Sequence, residues 1–345
     1  MLKKMTIFLL LLAAGLAGLF FWIGSANLPA EQWSSLEHLP SVAATEFRPG
    51  QELVVVSYNI GYFSGMTNNL PVARSRELYA ANLARAVAAL GPLRPDALAL
   101  QEVDFAASRS FDQDQAVLLA QGLGLGWLTK AVGWDKKYVP YPYWPPQHHF
   151  GRVVSGQALL ARYPLADLER HALAPRGDTP FYYNALYMDR LVQTAALELG
   201  GRRVWLACLH LEAWDRPTRE RQARQAAAIL ARLRERGPLI VMGDFNTTPT
   251  WARVQTGFVD EPEQDFRGEA TLAAMTALSL REAFDQGGSA DEAATLTFPA
   301  DRPSRKLDHI FYDPTRLELV WRRVVVEAGQ ASDHLPVAAA FRLKD

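Results

Sequence analysis

The sequence predicts a four-layer α/β sandwich, two packed mixed β-sheets flanked by helices, preceded by an N-terminal transmembrane helix. Three observations lead there. Strand, helix, strand order occurs twice, with hairpin-like pairs between the repeats. Apolar strands repeatedly begin or end on Asn, Glu, His or Asp. The first 24 residues form an almost unbroken apolar stretch behind two lysines.

Composition bounds the problem. A chain of 345 residues can bury one large core or two modest ones. Its net charge of -1 carries no overall basic field of the kind that advertises nucleic-acid binding. The single cysteine, Cys208, excludes an intrachain disulfide framework and a cysteine-based zinc site. It alternates with Val204, Leu206 and His210 on one strand face, as a small core residue would.

"MLKKMTIFLLLLAAGLAGLFFWIG" runs apolar from Met5 to Ile23. About 18 such residues suffice to span a bilayer, whereas a signal-peptide core is about 7–15 long. Small residues at Gly24, Ser25 and Ala26 keep a cleavable signal open, with an uncleaved anchor favoured. Either way Lys3 and Lys4 are expected on the cytoplasmic side, leaving the rest of the chain exported. Residues 25–50 lack periodicity, carry three prolines and read as a linker. From residue 51 to 345 no further composition break appears, which implies a single catalytic domain.

The elements then follow in order. "ELVVVSYNIGYF" is a β-branched run stopping at Asn59. Residues 74–90 place Tyr79, Leu83, Ala86, Val87 and Leu90 on one helical stripe, ended by Gly91-Pro92. "PDALALQEVD" is a short strand closing on Gln101-Glu102. The stretch from Gly133 to Val154 is rich in Trp, Tyr and Pro and reads as a loop, either packed on the domain or facing substrate. Strands follow over Gly156–Tyr163 and Leu191–Leu199, the latter turning at Gly200-Gly201 into Arg203–His210. A helix over 217–236 turns Ala223, Ala226, Ala227, Leu230 and Leu233 inward. "LIVMGDFNTTPT" is a buried strand ending on Asp244, with Asn246 two residues on. "SRKLDHIFYD" opens a strand on Asp308, and "QASDHLPVAAAFRL" places Asp333-His334 just before the last one. Carboxylates, amides and imidazoles are what a hard divalent cation and a phosphate require.

With these residues in view, the chain from about Leu53 to Phe341 resembles the endonuclease/exonuclease/phosphatase superfamily, which includes pancreatic-type DNases, inositol polyphosphate 5-phosphatases and neutral sphingomyelinases. The resemblance rests on "SYNI", "QEV", "SGQALLARYPL", "CLHLEA", "MGDFNTTP", "KLDHIFY" and "SDHLPV", in that family's order. It implies a DNase-I-like fold and hydrolysis of a phosphate ester by direct water attack. It implies that Glu102 is the main ligand of Mg²⁺ or Mn²⁺, with Asn59 close by and Asp333 in or beside the ligand set. Asp244 would activate the water, Asn246 orient the phosphate, and His210 and His334 bind phosphoryl oxygens. Asp308 would hold the His334 tautomer. Nuclease members commonly bring a Tyr or Arg to the phosphate from the segment before "SGQALLARYP", and no single residue there can be assigned that role.

The expected function is therefore a membrane-tethered, metal-dependent phosphodiesterase or phosphatase outside the cytoplasm, acting as a monomer. Anchor, aromatic loop and absent basic charge favour a phospholipid-type substrate. A secreted or surface nuclease acting on DNA or RNA is the alternative. An inactive binding module would have lost Glu102, Asp244 or His334, and all three are present.

Overall fold

The computed structural model describes residues 1–40, 42, 45–285 and 292–344. Helix α1 (Leu2–Gly24) buries none of its side chains. Among the described residues it is the one helix long and apolar enough to cross a membrane.

Strands β1 (Ser34–His38), β4 (Trp127–Val139), β5 (Gly151–Ala161), β3 (Ala97–Asp104), β2 (Leu53–Asn59), β13 (Val337–Leu343) and β12 (Leu317–Val324) lie side by side in one seven-stranded sheet. The second sheet has six strands: β10 (Arg281–Glu282), β11 (Asp308–Tyr312), β9 (Leu239–Asp244), β8 (Arg202–His210), β7 (Leu191–Leu199) and β6 (Leu165–Ala172). Two pairs are parallel, β2 with β3 and β8 with β9. Each is joined by a crossover helix, as parallel neighbours require. These helices are α2 (Arg76–Leu90) and α5 (Arg216–Arg236), and α3 (Gln115–Leu123) packs beside α2. Their starts are set by side chains that accept orphan backbone N–H groups: Ser75 from Leu78, Asp114 from Val117 and Asp215 from Thr218.

Alternation along the strands makes the layers. On β8, Val204, Leu206 and Cys208 enter the core between the sheets, while Trp205, Ala207 and Leu209 face α5. On β2, Leu53 and Val55 face the second sheet, while Val56 and Tyr58 pack under α2. The four layers of the expected sandwich are thus helix, sheet, sheet, helix.

One segment departs from the sequence reading. Residues 25–50 were expected to be a linker, yet Ser34–His38 forms the edge strand β1 against β4. Asn27 and Leu28 donate their N–H groups to the Asp135 carboxylate. The strand is made by the backbone of its partner and by that buried carboxylate, so no apolar alternation marks it.

Gly243 on β9 pairs with Leu209 on β8, and a Cβ there would lie 2.1 Å from the Leu209 carbonyl oxygen. Gly243→Ala is expected to destabilise the protein by about 1–3 kcal/mol or more, since a clash with backbone relaxes less easily than one with a side chain. Thermal unfolding of the full chain in detergent measures this. An unchanged midpoint would show that the strands can part without cost.

Candidate active site

The inward rows of the two sheets end in polar residues, and these rows deliver the site. His210 follows Val204, Leu206 and Cys208 in alternation on β8. Asp244 follows Ile240 and Met242 on β9, and Asn59 follows Leu53, Val55 and Ser57 on β2. Asp308 precedes Ile310 and Tyr312 on β11. Each takes the place a core side chain would hold one step further along its strand. Register aligns them: Asp244 lies opposite Asp308 on one side and His210 on the other.

Glu102 breaks the alternation. Ala97 and Ala99 face the inter-sheet core, and regular pleating would turn Glu102 away from it. A register irregularity between Leu100 and Val103, with a φ of 52° at Glu102, brings it back. Its carboxylate then accepts from the Asn59 amide at 3.4 Å and the Asn68 amide at 2.9 Å. Asn246 also has a positive φ, 51°, which lets its N–H donate back to Asp244 at 2.8 Å while its side chain donates to the Leu211 carbonyl.

Two carboxylates directly opposite one another repel, and His334 lies between them. Its Nδ1 is 2.9 Å from Asp308 Oδ2, and its Nε2 is 3.7 Å from Asp244 Oδ2. Burial works against the imidazolium, but the Asp308 and Asp244 carboxylates outweigh it and hold the His334 pKa at about 10. Burial pushes Asp244 up to about 7 and Asp308 adds to the rise, while His334, the Asn246 N–H and the Asn59 amide oppose it. The Ser332 hydroxyl fixes the loop, donating to the Asn59 carbonyl at 2.8 Å and accepting from the His334 N–H at 3.2 Å.

His210 has a different partner. Its Nε2 is 2.5 Å from Nη1 of Arg190, a residue just before β7. Burial and the neighbouring Arg190 and His334 charges lower its pKa well below the ordinary imidazole range. His210 is therefore neutral and accepts from Arg190, so the fixed cation on this side is Arg190. Tyr187 accepts from Arg190 Nη2 at 3.1 Å, and Glu212 lies 3.5 Å from its Nε.

The donors suited to a hard cation are Glu102 and Asp333. Both accept from the single Asn68 Nδ2, at 2.9 and 3.1 Å, so the two carboxylates converge on one point where only a neutral amide separates them. That all-oxygen pair fits Mg²⁺ or Mn²⁺. Asn59 turns its NH₂ toward Glu102 and Asp244, while its oxygen accepts from the Gly61 N–H, so in this geometry it orients carboxylates. Asp244, Asp308 and His334 also bring possible ligand atoms within 4.8 Å of one another. His334 Nδ1 is already bound to Asp308, so in this geometry the three side chains also form a hydrogen-bonded carboxylate–imidazole group.

Beside these residues a pocket opens, lined by Tyr62, Trp134, Gln157, Met188, Arg190 and Glu102. Gln157 is buried there with neither amide atom hydrogen-bonded. The aromatic stretch divides: Trp134, Val139 and Phe150 form a small core, while Tyr143 and Trp144 are exposed. His149 bonds to the Tyr138 hydroxyl at 2.7 Å. A buried cation comes to this side of the pocket from another part of the chain, Arg190. Its only sequence signal is a polar residue before an apolar alternating run, the pattern that marked Asp308. Asn68, in an irregular loop, has no such signal.

The fold and site define a class, and comparison with known proteins agrees. The signature of the Endonuclease/Exonuclease/phosphatase family matches residues 56–334, and the chain belongs to that family of metal-dependent phosphoric ester hydrolases. Solved structures share the DNase-I-like fold. An endonuclease/exonuclease/phosphatase from Beutenbergia cavernae is 20% identical with a TM-score of 0.55, over 85% of this chain and 72% of that one. The human Nocturnin catalytic domain with bound sulfate is 20% identical, TM-score 0.53, over 92% of this chain and 100% of that one. The mannosyl-6-phosphatase of Bacteroides thetaiotaomicron is 16% identical, TM-score 0.56, over 84% of this chain and 99% of that one. No curated protein matches the chain.

Asp308→Ala and His334→Ala are expected to lower turnover similarly, with the double variant little worse than either, because the pair acts as one unit. Additive losses in a double-mutant cycle would show two independent roles. In the metal-free protein, infrared titration of ¹³C-labelled aspartate is expected to show a carboxyl titrating near pH 7. His334→Gln should move it to higher pH, since the imidazolium that opposes burial is gone. Absence of any carboxyl titrating above about pH 5 would remove this assignment to Asp244.

Proposed function

We propose that this chain is an exported, membrane-anchored phosphodiesterase or phosphatase that uses Mg²⁺ or Mn²⁺ and prefers a phospholipid-type substrate. The observation that carries the reaction is the meeting, at one rim, of the Asp244–His334–Asp308 group, the Arg190–His210 pair and the convergent carboxylates of Glu102 and Asp333. Asp244, with a pKa near neutrality and Asn59 aiming one oxygen, is suited to orient a water and take its proton. Arg190 and His334 are fixed donors for phosphoryl oxygens, held in place before reaction and largely sheltered from water. Asp308 keeps His334 charged and turned toward Asp244. Asn246, as a positioning residue, pins Asp244 from below. A divalent cation bound at Glu102 and Asp333 would supply neutralisation of the phosphate's charge.

Direct attack by water needs no covalent intermediate, and Cys208, the one thiol, is buried in the inter-sheet core. One chain supplies every residue named, so a monomer suffices. The lean toward lipid rests on α1 and on the exposed aromatic residues Tyr143 and Trp144. Two neighbours in fold bear on the chemistry: one structure holds a sulfate, a tetrahedral anion like phosphate, and another protein is named for a phosphosugar.

Chelation of the purified enzyme is expected to abolish turnover, with Mg²⁺ or Mn²⁺ restoring it. Glu102→Gln should lose at least about 100-fold, roughly 3 kcal/mol of transition-state stabilisation. The assay is a panel of an aryl phosphodiester, an aryl monoester, DNA, RNA, sphingomyelin, phosphatidylinositol phosphates and a glycerophospholipid. Full activity in excess chelator would overturn the metal role. Efficient cleavage of DNA or RNA with no lipid turned over would replace the lipid reading with a nuclease.

A further inference from the structure

The end of α1 is not a free tether. Lys136 on β4 donates to the Gly24 carbonyl at 3.2 Å, and the Lys137 N–H donates to the Ser25 carbonyl at 3.0 Å. Asp135, just before those lysines, takes the N–H groups of Asn27 and Leu28 at 2.7 and 2.8 Å. A Cβ at Gly24 would lie 3.7 Å from both the Ala185 carbonyl oxygen and the Leu186 side chain. Three consecutive residues of β4 therefore fix where the helix leaves the domain.

That attachment sets a depth. At 1.5 Å per residue, the 23 residues of α1 are about 34 Å long, against a hydrocarbon layer of about 30 Å. With Lys3 and Lys4 in one headgroup layer, Phe20 lies about 24 Å beyond Lys4, within the hydrocarbon layer and toward its far edge. Phe20 touches the domain: its ring meets Phe181 edge-on at 6.4 Å. Phe181 opens the one-turn helix α4 (Phe181–Asn184), and Phe181 and Tyr182 are 77% and 56% exposed. Tyr143 and Trp144 project from the neighbouring loop, 68% and 78% exposed. Trp134 ties the two loops together, donating to the Leu186 carbonyl at 2.8 Å and packing on Phe150, which packs on Tyr141. Four large aromatic side chains facing water beside a membrane helix are costly unless something apolar covers them.

The chain from α4 runs directly into the pocket wall at Met188, Asp189 and Arg190. We infer that Phe181, Tyr182, Tyr143 and Trp144 form a membrane-inserted rim, and that the fixed exit of α1 holds the mouth of the active site against the bilayer surface. This rests on α1 spanning the membrane, as in the proposed function. The occupant of the patch is the lipid interface, where aromatic rings with one apolar and one wet end settle.

The test uses the full chain in nanodiscs of phosphatidylcholine and phosphatidylglycerol. Cys208 is the only cysteine and is buried, so Tyr182→Cys and Glu318→Cys each take one nitroxide label. Glu318 is on β12, five strand spacings or about 24 Å from β4. The label at 182 is expected to be relaxed by oxygen and shielded from an aqueous nickel complex, and the label at 318 the reverse. Equal access of nickel to both overturns the inserted rim. In a second arm, the double variant Phe181→Ser, Tyr182→Ser is expected to raise KM for nanodisc phospholipid at least about fivefold, with kcat/KM for a soluble aryl phosphodiester unchanged. Equal effects on both substrates would make these residues part of the pocket and overturn the rim. A shielded label at 182 without lipid turnover supports the rim and removes the lipid substrate. Lipid turnover with a nickel-accessible label removes the rim alone.

Discussion

Two sheets that share one dry interior hold this molecule together, and the site lies where that interior stops. Leu206 and Cys208 on β8, Ile240 and Met242 on β9, and Leu53 and Val55 on β2 are fully buried in the same inter-sheet core. Close packing of this kind leaves the strands little room to shift against one another. The next inward side chains, His210, Asp244 and Asn59, inherit the placement. A hydrolytic site that depends on groups being aimed before the substrate arrives is then a by-product of sheet packing.

The same placement creates an electrostatic problem. Asp244 and Asp308 are paired across adjacent strands in a nearly dry setting, where burial and the neighbouring carboxylate both push the Asp244 pKa up. His334 resolves it from a loop outside the sheet, bonded to one carboxylate and near the other. Across the site Arg190 takes the role of permanent charge, which leaves His210 neutral. Positive charge is thus divided between a group that can change protonation and one that cannot. Glu102 and Asp333 complete the arrangement as an oxygen-only pair.

The N-terminal helix belongs to this logic. Because β4 both lines the pocket, through Trp134, and grips the exit of α1, through Lys136 and Lys137, the position of the helix and the direction of the site are coupled. A free tether would have left them independent.

Much of this was legible in the sequence. Period-two alternation ending in Asn59, His210 or Asp244 is local information, because a strand puts residues two apart on one face whatever surrounds it. The sandwich, the crossover helices and the apolar span of α1 followed from the same kind of reading. Tertiary structure alone decided the rest. Glu102 reaches the site only through a bulge against β5, and Arg190 matters only because β7 lies beside β8. Asn68 bridges Glu102 and Asp333 from an irregular loop, and β1 exists only because β4 offers it an edge. Each of these depends on contacts between segments far apart in the chain, which no local pattern encodes.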